Sequence, residues 1–418
     1  MLRIATTDTQ SQPPGPGRAT VLYGTAFDGW DLPPLQGNSD RQWIHGGERA
    51  LIELAAGLAS LGLAVDIRGE IPEREIAKIE QAVGVRIGRP ETRRLPTAED
   101  LIVMPEGHVD PLLFARMAYS PARAVLLVQG ALGMFGWSFD GGPSPEQEEL
   151  DVLDISTVGR PEQLVAARRF GFELWSNVAA IAKQGQDLGL PMHYVGSGRP
   201  LPYPEPPAKQ VDVLVLGNNR WGSLARQVLS ELPEGVTSLV LPQVSQAEVL
   251  AAMGIARVLI HPSRFEGRSR IVEEARAMRT VPLVLASNTL GEGYGEQFGS
   301  VVVDHVAQMA PAIVELLADP ERLDRLAENG HRTAREVGAW PAYQERLRAA
   351  LDNPDREVAE GAPWRAQLGR RFHDVVRLLA IQMAEAERKI SAAAAQIQRE
   401  QQALALERAA LERQRAGF

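Results

Sequence analysis

Residues His261 to Met278 read HPSRFEGRSRIVEEARAM. An apolar run, Arg257 to Ile260, leads into this stretch and has the length and composition of a buried strand. Helical spacing resumes near Ser269, so the intervening residues form a loop between strand and helix. Two carboxylates, Glu266 and Glu274, fall on either side of that junction. In an open parallel sheet the carboxyl ends of the strands are where ligands bind. A helix starting there offers unpaired N–H groups and the positive end of its dipole to a phosphate, and carboxylates accept hydrogen bonds from hydroxyls. The combination suits a nucleotide sugar, with pyrophosphate on the backbone and hydroxyls on the acids.

The flanking residues sharpen the reading. His261-Pro262-Ser263 precedes the loop, and Ala275, Ala277-Met278 and Thr280-Val281-Pro282-Leu283-Val284 follow the second acid. The whole resembles the nucleotide-sugar motif of the retaining glycosyltransferases of family four, in which a Glu, seven residues and a second Glu are usually written EGFGLPLLEAMA. Where that family has Phe-Gly-Leu-Pro, this chain has Arg268, Ser269, Arg270 and Ile271. The two arginines either add charge-assisted bonds to a pyrophosphate or stay solvated.

Further segments carry the same resemblance. Gly46-Gly47-Glu48-Arg49-Ala50 opens an amphipathic helix, as Gly-Gly-x-Glu-Arg does in the family's first domain, and glycines there let backbone N–H groups approach a ligand. Gly217-Asn218-Asn219-Arg220 follows the first strand of the second half, where the family places an Arg and then a Lys against the donor pyrophosphate. Here the Lys is missing and the region reads Trp221-Gly222-Ser223-Leu224. Gly291-Glu292-Gly293-Tyr294-Gly295 is similar to the family's glycine loop near the donor sugar, and also fits an ordinary turn. Glu106, His108 and Gln129-Gly130 end two strands of the first half, and many family members carry a histidine in one of these places.

The resemblance implies an α/β protein of GT-B fold, two Rossmann-like domains facing a cleft, and a glycosyltransferase activity. It implies a nucleoside diphosphate sugar held by Gly46, Gly47, Arg220, Glu266, Gly267, Arg268, Ser269, Arg270 and Glu274, with Glu274 on the ribose and Glu266 on the sugar hydroxyls. Glu266 and His108 are the candidates at the reacting centre. Retention would proceed by front-face attack without a protein nucleophile, the acceptor being a glycan, a lipid-linked sugar or a protein. Two other functions fit the same fold, since fold does not fix function. One is a non-catalytic binding module, favoured by the altered Arg268 loop and the absent Lys, and the other is a nucleotide-sugar epimerase.

Bulk properties agree with this picture. At 418 residues the chain is long enough for two domains, and its 44% of hydrophobic residues can fill both cores. A net charge of −9 argues against nucleic-acid binding, which ordinarily shows a basic stripe. The absence of cysteine excludes disulfides and thiolate chemistry. Scattered histidines and the lack of Asp-x-Asp give no protein-held metal or cofactor, only the nucleotide sugar as substrate. With neither a secretory-type apolar segment nor a membrane-length run, a cytoplasmic protein is expected.

Residues 1–18 are rich in Pro, Gly, Ser, Thr and Gln and are expected to lack a fixed fold. Strand-like runs at Thr20 to Tyr23, Leu63 to Ile67, Leu101 to Met104, Ala124 to Val128 and, more weakly, Glu173 to Ser176 alternate with helical patterns, the clearest from Glu48 to Leu61. They predict a first parallel-sheet domain over 19–200. The proline-rich stretch from Arg199 to Pro207 reads as a linker. Runs at Val211 to Leu216, Ser238 to Leu241, Val258 to Ile260, Val281 to Leu285 and Val301 to Val303 predict a second domain over 201–350. In the remainder, 351–418, Val376, Met383, Ile390, Ile397, Leu404 and Leu411 recur every seven residues, whereas the companion seam runs from Ala386 and Ala393 to Glu400 and Glu407. That pattern predicts a long helix of weak coiled-coil character, available for self-association or a partner helix through residues 376–415.

Overall fold

The computed structural model describes residues 18–22, 46–68, 71–88, 99–106, 122–130, 162–200, 202–216, 222–242, 244–263, 269–286, 293–336, 338–355, 389 and 396. The N-terminal segment, the heptad pattern of the tail, and His108, Arg220, Glu266, Gly267 and Arg268 lie outside them.

Two parallel sheets organise the described residues. The first contains β1 (Arg18–Leu22), β2 (Ala64–Arg68), β3 (Ile87–Gly88), β4 (Leu101–Pro105), β5 (Arg123–Val128), β6 (Phe172–Ser176) and β7 (His193–Tyr194), in the order β3-β2-β1-β4-β5-β6-β7. The second contains β8 (Val211–Leu216), β9 (Ser238–Leu241), β10 (Ala256–His261), β11 (Val281–Leu285) and β12 (Val301–Val303), in the order β12-β11-β10-β8-β9. Every neighbouring pair runs parallel. In both sheets the strand order reverses beside the first strand of the set, which opens a crevice at the carboxyl ends.

Near-continuous apolar runs make the central strands, as expected for strands covered on both faces. All five residues of β4 and all five of β11 are buried. The weak pattern of β6 is also fully buried. Its charged member, Glu173, is tolerated because the Arg123 guanidinium on β5 donates to both carboxylate oxygens at 2.7 Å. Helix α1 (Gly46–Ser60) packs on the first sheet through Leu51, Leu54, Ala55 and Leu58, each at most 1% exposed. Burying each leucine contributes about 1.5 to 3 kcal/mol relative to exposure.

Helix α2 (Glu73–Val83), α3 (Glu162–Arg169) and α4 (Ala179–Asp187) complete the first half among the described residues. In the second half lie α5 (Gly222–Ser230), α6 (Gln246–Ile255), α7 (Arg270–Ala277), α8 (Met309–Ala318) and α9 (Pro320–Glu336). Ser245 caps α6 with a reciprocal capping box to Glu248. The last helix, α10 (Trp340–Asp352), departs from the boundary expected at 350. Its buried Tyr343, Leu347 and Ala350 join the core of the first sheet, not the second. Glycine at 57 makes this possible, since a Cβ there would stand 2.5 Å from Leu347 Cδ1 and 2.9 Å from Tyr343 Cε1. The chain therefore crosses between halves twice, through the extended linker after Arg199 and again before Trp340. The two crossings touch, with Arg199 bridged to Ala339.

Among the described residues, no helix is long and apolar enough to cross a membrane.

Candidate functional site

Five of the candidate residues are described: Gly46, Gly47, Ser269, Arg270 and Glu274. Gly46 and Gly47 open α1, Ser269 and Arg270 open α7 with Glu274 one turn on, and those two helices meet. The contact is a bidentate ion pair in which Arg270 Nη1 donates to Glu53 Oε1 at 2.8 Å and Nη2 donates to Glu53 Oε2 at 2.5 Å. Glu53 is 1% exposed on α1, and Arg49, one turn earlier, lies with Nε 3.5 Å from the same carboxylate. The guanidinium that sequence offered to a pyrophosphate or to solvent is thus committed to a buried acid of the other half. Glu53 carried no sequence signal beyond being an acid on an otherwise apolar helix face.

Glu274 lies one turn along α7 from Arg270 and is 5% exposed. Gln246 Nε2, at the start of α6, donates to its Oε1 at 2.5 Å. Among the described residues no other hydrogen bond reaches this carboxylate. Burial pushes its pKa above the ordinary carboxylate value, against the pull of the Arg270 and Arg49 charges. The neighbouring Glu273 turns toward the linker, where Arg199 Nη2 is 3.9 Å away. The Arg199 guanidinium also stacks 3.9 Å above the Tyr203 ring and donates to Ala334 O at 2.7 Å. Linker, α7 and α9 are thereby tied into one polar layer.

Ser269 precedes α7 and is 3% exposed. Its hydroxyl does not cap the helix; Oγ lies 2.9 Å from His261 Nε2, joining the end of β10 to the start of α7 across the motif loop. The Ser269 N–H points to the Tyr294 hydroxyl at 3.4 Å. Gly293 and Gly295 flank that tyrosine at φ values of 103° and 105°, a region that demands glycine, so these two serve the backbone turn itself. Arg276, 5% exposed, holds the loop from α7: Nη2 donates to Gly293 O at 2.6 Å and to Ser300 Oγ at 2.7 Å, and the guanidinium lies 5.2 Å from the Tyr294 ring centroid. Sequence reasoning passed over Arg276 because a charged residue in a helix reads as solvated.

Across the contact, the carboxyl edge of the first sheet presents Glu106 after β4 and Gln129-Gly130 after β5. Glu106 Oε1 accepts the Gln129 and Gly130 N–H groups, each at 2.8 Å. Burial raises the Glu106 carboxyl to about 7, the two backbone donors opposing that rise. Gly47 belongs to the same corner, because a Cβ on it would sit 2.9 Å from Gln129 Oε1. Among the described residues no group of three or more His, Asp or Glu side chains is placed to hold a metal ion.

No family model matches the chain, and no curated protein matches it in sequence. Solved structures do resemble it. Sucrose-phosphate synthase from Thermosynechococcus elongatus superposes with a TM-score of 0.52 at 13% identity, covering 80% of this chain and 98% of that one. HepE from Anabaena, solved with UDP and glucose, gives a TM-score of 0.48 at 10% identity over 81% of this chain and all of its own. With two parallel sheets that each reverse order beside the first strand of the set, and the synthase as a structural counterpart over nearly its full length, this chain has the two-domain, Rossmann-like GT-B fold of glycosyltransferases.

Proposed function

We propose that the chain is a glycosyltransferase that moves a sugar from a nucleoside diphosphate sugar to a glycan, lipid-linked or protein acceptor with retention. The observation that carries this reading is Glu274: a buried carboxylate with one oxygen fixed by Gln246, at the carboxyl edge of the second sheet and eight positions beyond Glu266. A carboxylate so placed accepts ribose hydroxyls, and in a desolvated site hydrogen bonds to a charged group contribute about 1.5 to 3 kcal/mol. Glu266 would take the donor-sugar hydroxyls. Gly46, Gly47, Gly267 and Ser269 supply backbone approach to the pyrophosphate, with Arg220 and Arg268 neutralising its charge. Front-face attack by the acceptor needs no protein nucleophile, and the leaving diphosphate is stabilised by these donors. The reaction requires no cofactor, and His108 and Glu266 are the candidates for the reacting centre. In this reading the first half carries the acceptor, and the protein works in the cytoplasm.

One observation favours a second reading. Arg270 is spent on Glu53, so the motif loop has given one cation to holding the halves together, as a binding module assembled through its tail would. Turnover separates the readings: the full chain is incubated with UDP-glucose, UDP-N-acetylglucosamine and GDP-mannose plus chelator, with and without a mixed oligosaccharide acceptor. Nucleoside diphosphate released only with acceptor, and an anomer of unchanged configuration, is the expected result. Binding of nucleotide without release supports the module, and sugar interconversion without acceptor supports the epimerase.

A further inference from the structure

The carboxyl edge of the first sheet holds polar atoms that are buried and unanswered. Among the described residues Glu106, 8% exposed, has its Oε2 buried without a hydrogen-bond partner, and the same holds for Gln129 Nε2. Leaving such a group unsatisfied is costly, so two in one corner are a standing cost that a ligand relieves. The corner is built, not incidental. Glu106 Oε1 is pinned by two backbone N–H groups, which fixes the plane of the carboxyl and aims Oε2. Gln129 in turn lies against Gly47, where any side chain would displace it.

The chemistry of the unanswered atoms selects the ligand class. Glu106 Oε2 accepts a hydrogen and Gln129 Nε2 donates one. Glu106 is itself an acid, and among the described residues no cation acts on its carboxyl, so nothing in the corner draws in an anion. A hydroxyl both donates and accepts, and a vicinal diol offers the two in adjacent positions, as an amide–carboxyl pair requires. We infer that Glu106 and Gln129 form a subsite for the hydroxyls of a neutral saccharide, the acceptor's terminal sugar. Its position fits the transfer reading on which it rests. Gly47 and Glu53 lie on one helix about 9 Å apart along its axis, so the saccharide corner neighbours the Glu53–Arg270 contact from which the donor motif extends. The high pKa of the Glu106 carboxyl is consistent with a desolvated pocket that a sugar rather than water fills.

The test uses saturation-transfer NMR on the full chain with methyl α-glucoside, methyl α-mannoside and glycerol as probes, each with and without UDP. Two variants accompany the parent. Glu106→Gln keeps a carbonyl oxygen for the two backbone N–H groups, so the loop stays fixed while the carboxyl is lost. Gln129→Leu keeps volume while removing the donor. The expected result is saturation of at least one glycoside by the parent, and weakening of its affinity by about tenfold in each variant, the effect of losing one hydrogen bond in a desolvated site. UDP signals should not change. No glycoside signal from the parent overturns the inference, as do equal signals from parent and variants. If both variants lose UDP instead, the pair belongs to the donor. Failure of UDP binding in the parent, with glycoside saturation intact and sensitive to both variants, refutes the donor reading and leaves the subsite standing.

Discussion

Replacing Arg270 by Met removes a guanidinium that makes two hydrogen bonds, at 2.8 and 2.5 Å, to a carboxylate 1% exposed on α1. Glu53 is then left in the interior with only Arg49, 3.5 Å away. Breaking a buried pair by deleting one partner costs about 3 to 5 kcal/mol, since the survivor has lost its compensation. Arg49 remains, and the Arg270 side chain is 20% exposed, so the low end of that range, about 3 kcal/mol, is expected. Glu53→Gln should cost less, because a neutral amide needs less compensation and Arg270 reaches water. The double variant removes both charges of the pair, leaving Arg49 beside a neutral amide, and should be more stable than the sum of the singles by about 1 to 3 kcal/mol. Urea unfolding of all four proteins, followed by far-ultraviolet circular dichroism, measures this cycle. Additive singles of less than about 1 kcal/mol each, the behaviour of an exposed pair, would refute a buried bond between the halves.

Other outcomes follow from single residues. Glu106 titrates near 7 in the fold and near 4.5 when unfolded, so the folded state binds more protons between those values and stability should fall as pH rises from about 4.5 to 7. Glu106→Gln should remove that slope, worth at most about 3 kcal/mol, and an unchanged slope in pH-dependent unfolding would show that the carboxyl is solvated. Gly57→Ala drives a methyl to within 2.5 Å of Leu347 and should destabilise by about 1 to 3 kcal/mol. Were α10 not docked there, the same change would stabilise α1 through its helix propensity, by up to about 1 kcal/mol. Deleting residues 384–418 should leave nucleotide binding intact and lower the concentration-dependent mass seen by light scattering; an unchanged mass with lost binding would place that segment on the two Rossmann-like halves.

Much of the fold was legible because parallel strands are near-continuous apolar runs, and β8, β9, β11 and β12 begin and end where those runs do, even though β9 and β12 lie at the sheet edges. The two-residue strands β3 and β7 were not, since so short a pair leaves no periodicity to read. The docking of α10 on the first core was hidden for a different reason: the partner of Tyr343 and Leu347 is a glycine nearly three hundred residues earlier, and a glycine signals nothing about what packs on it. At the site, the strand, loop and helix around Ser269 were visible because motif spacing reflects local geometry. The fate of Arg270 was not, because its partner Glu53 lies on another half of the chain and only the tertiary fold brings them together. Glu106 was noticed for its place at a strand end, while the orphaned oxygen that makes it interesting exists only once the loop is built.

Calorimetric titration of UDP, GDP and their sugars into the full chain, with chelator present, tests the central claim most directly when run beside Glu274→Ala. Binding of one nucleotide family is expected, weakened in the variant by about 10- to 150-fold, the equivalent of roughly 1.5 to 3 kcal/mol. Heats absent across the panel, or an affinity the same in parent and Glu274→Ala, would contradict a nucleotide-sugar site on the second sheet.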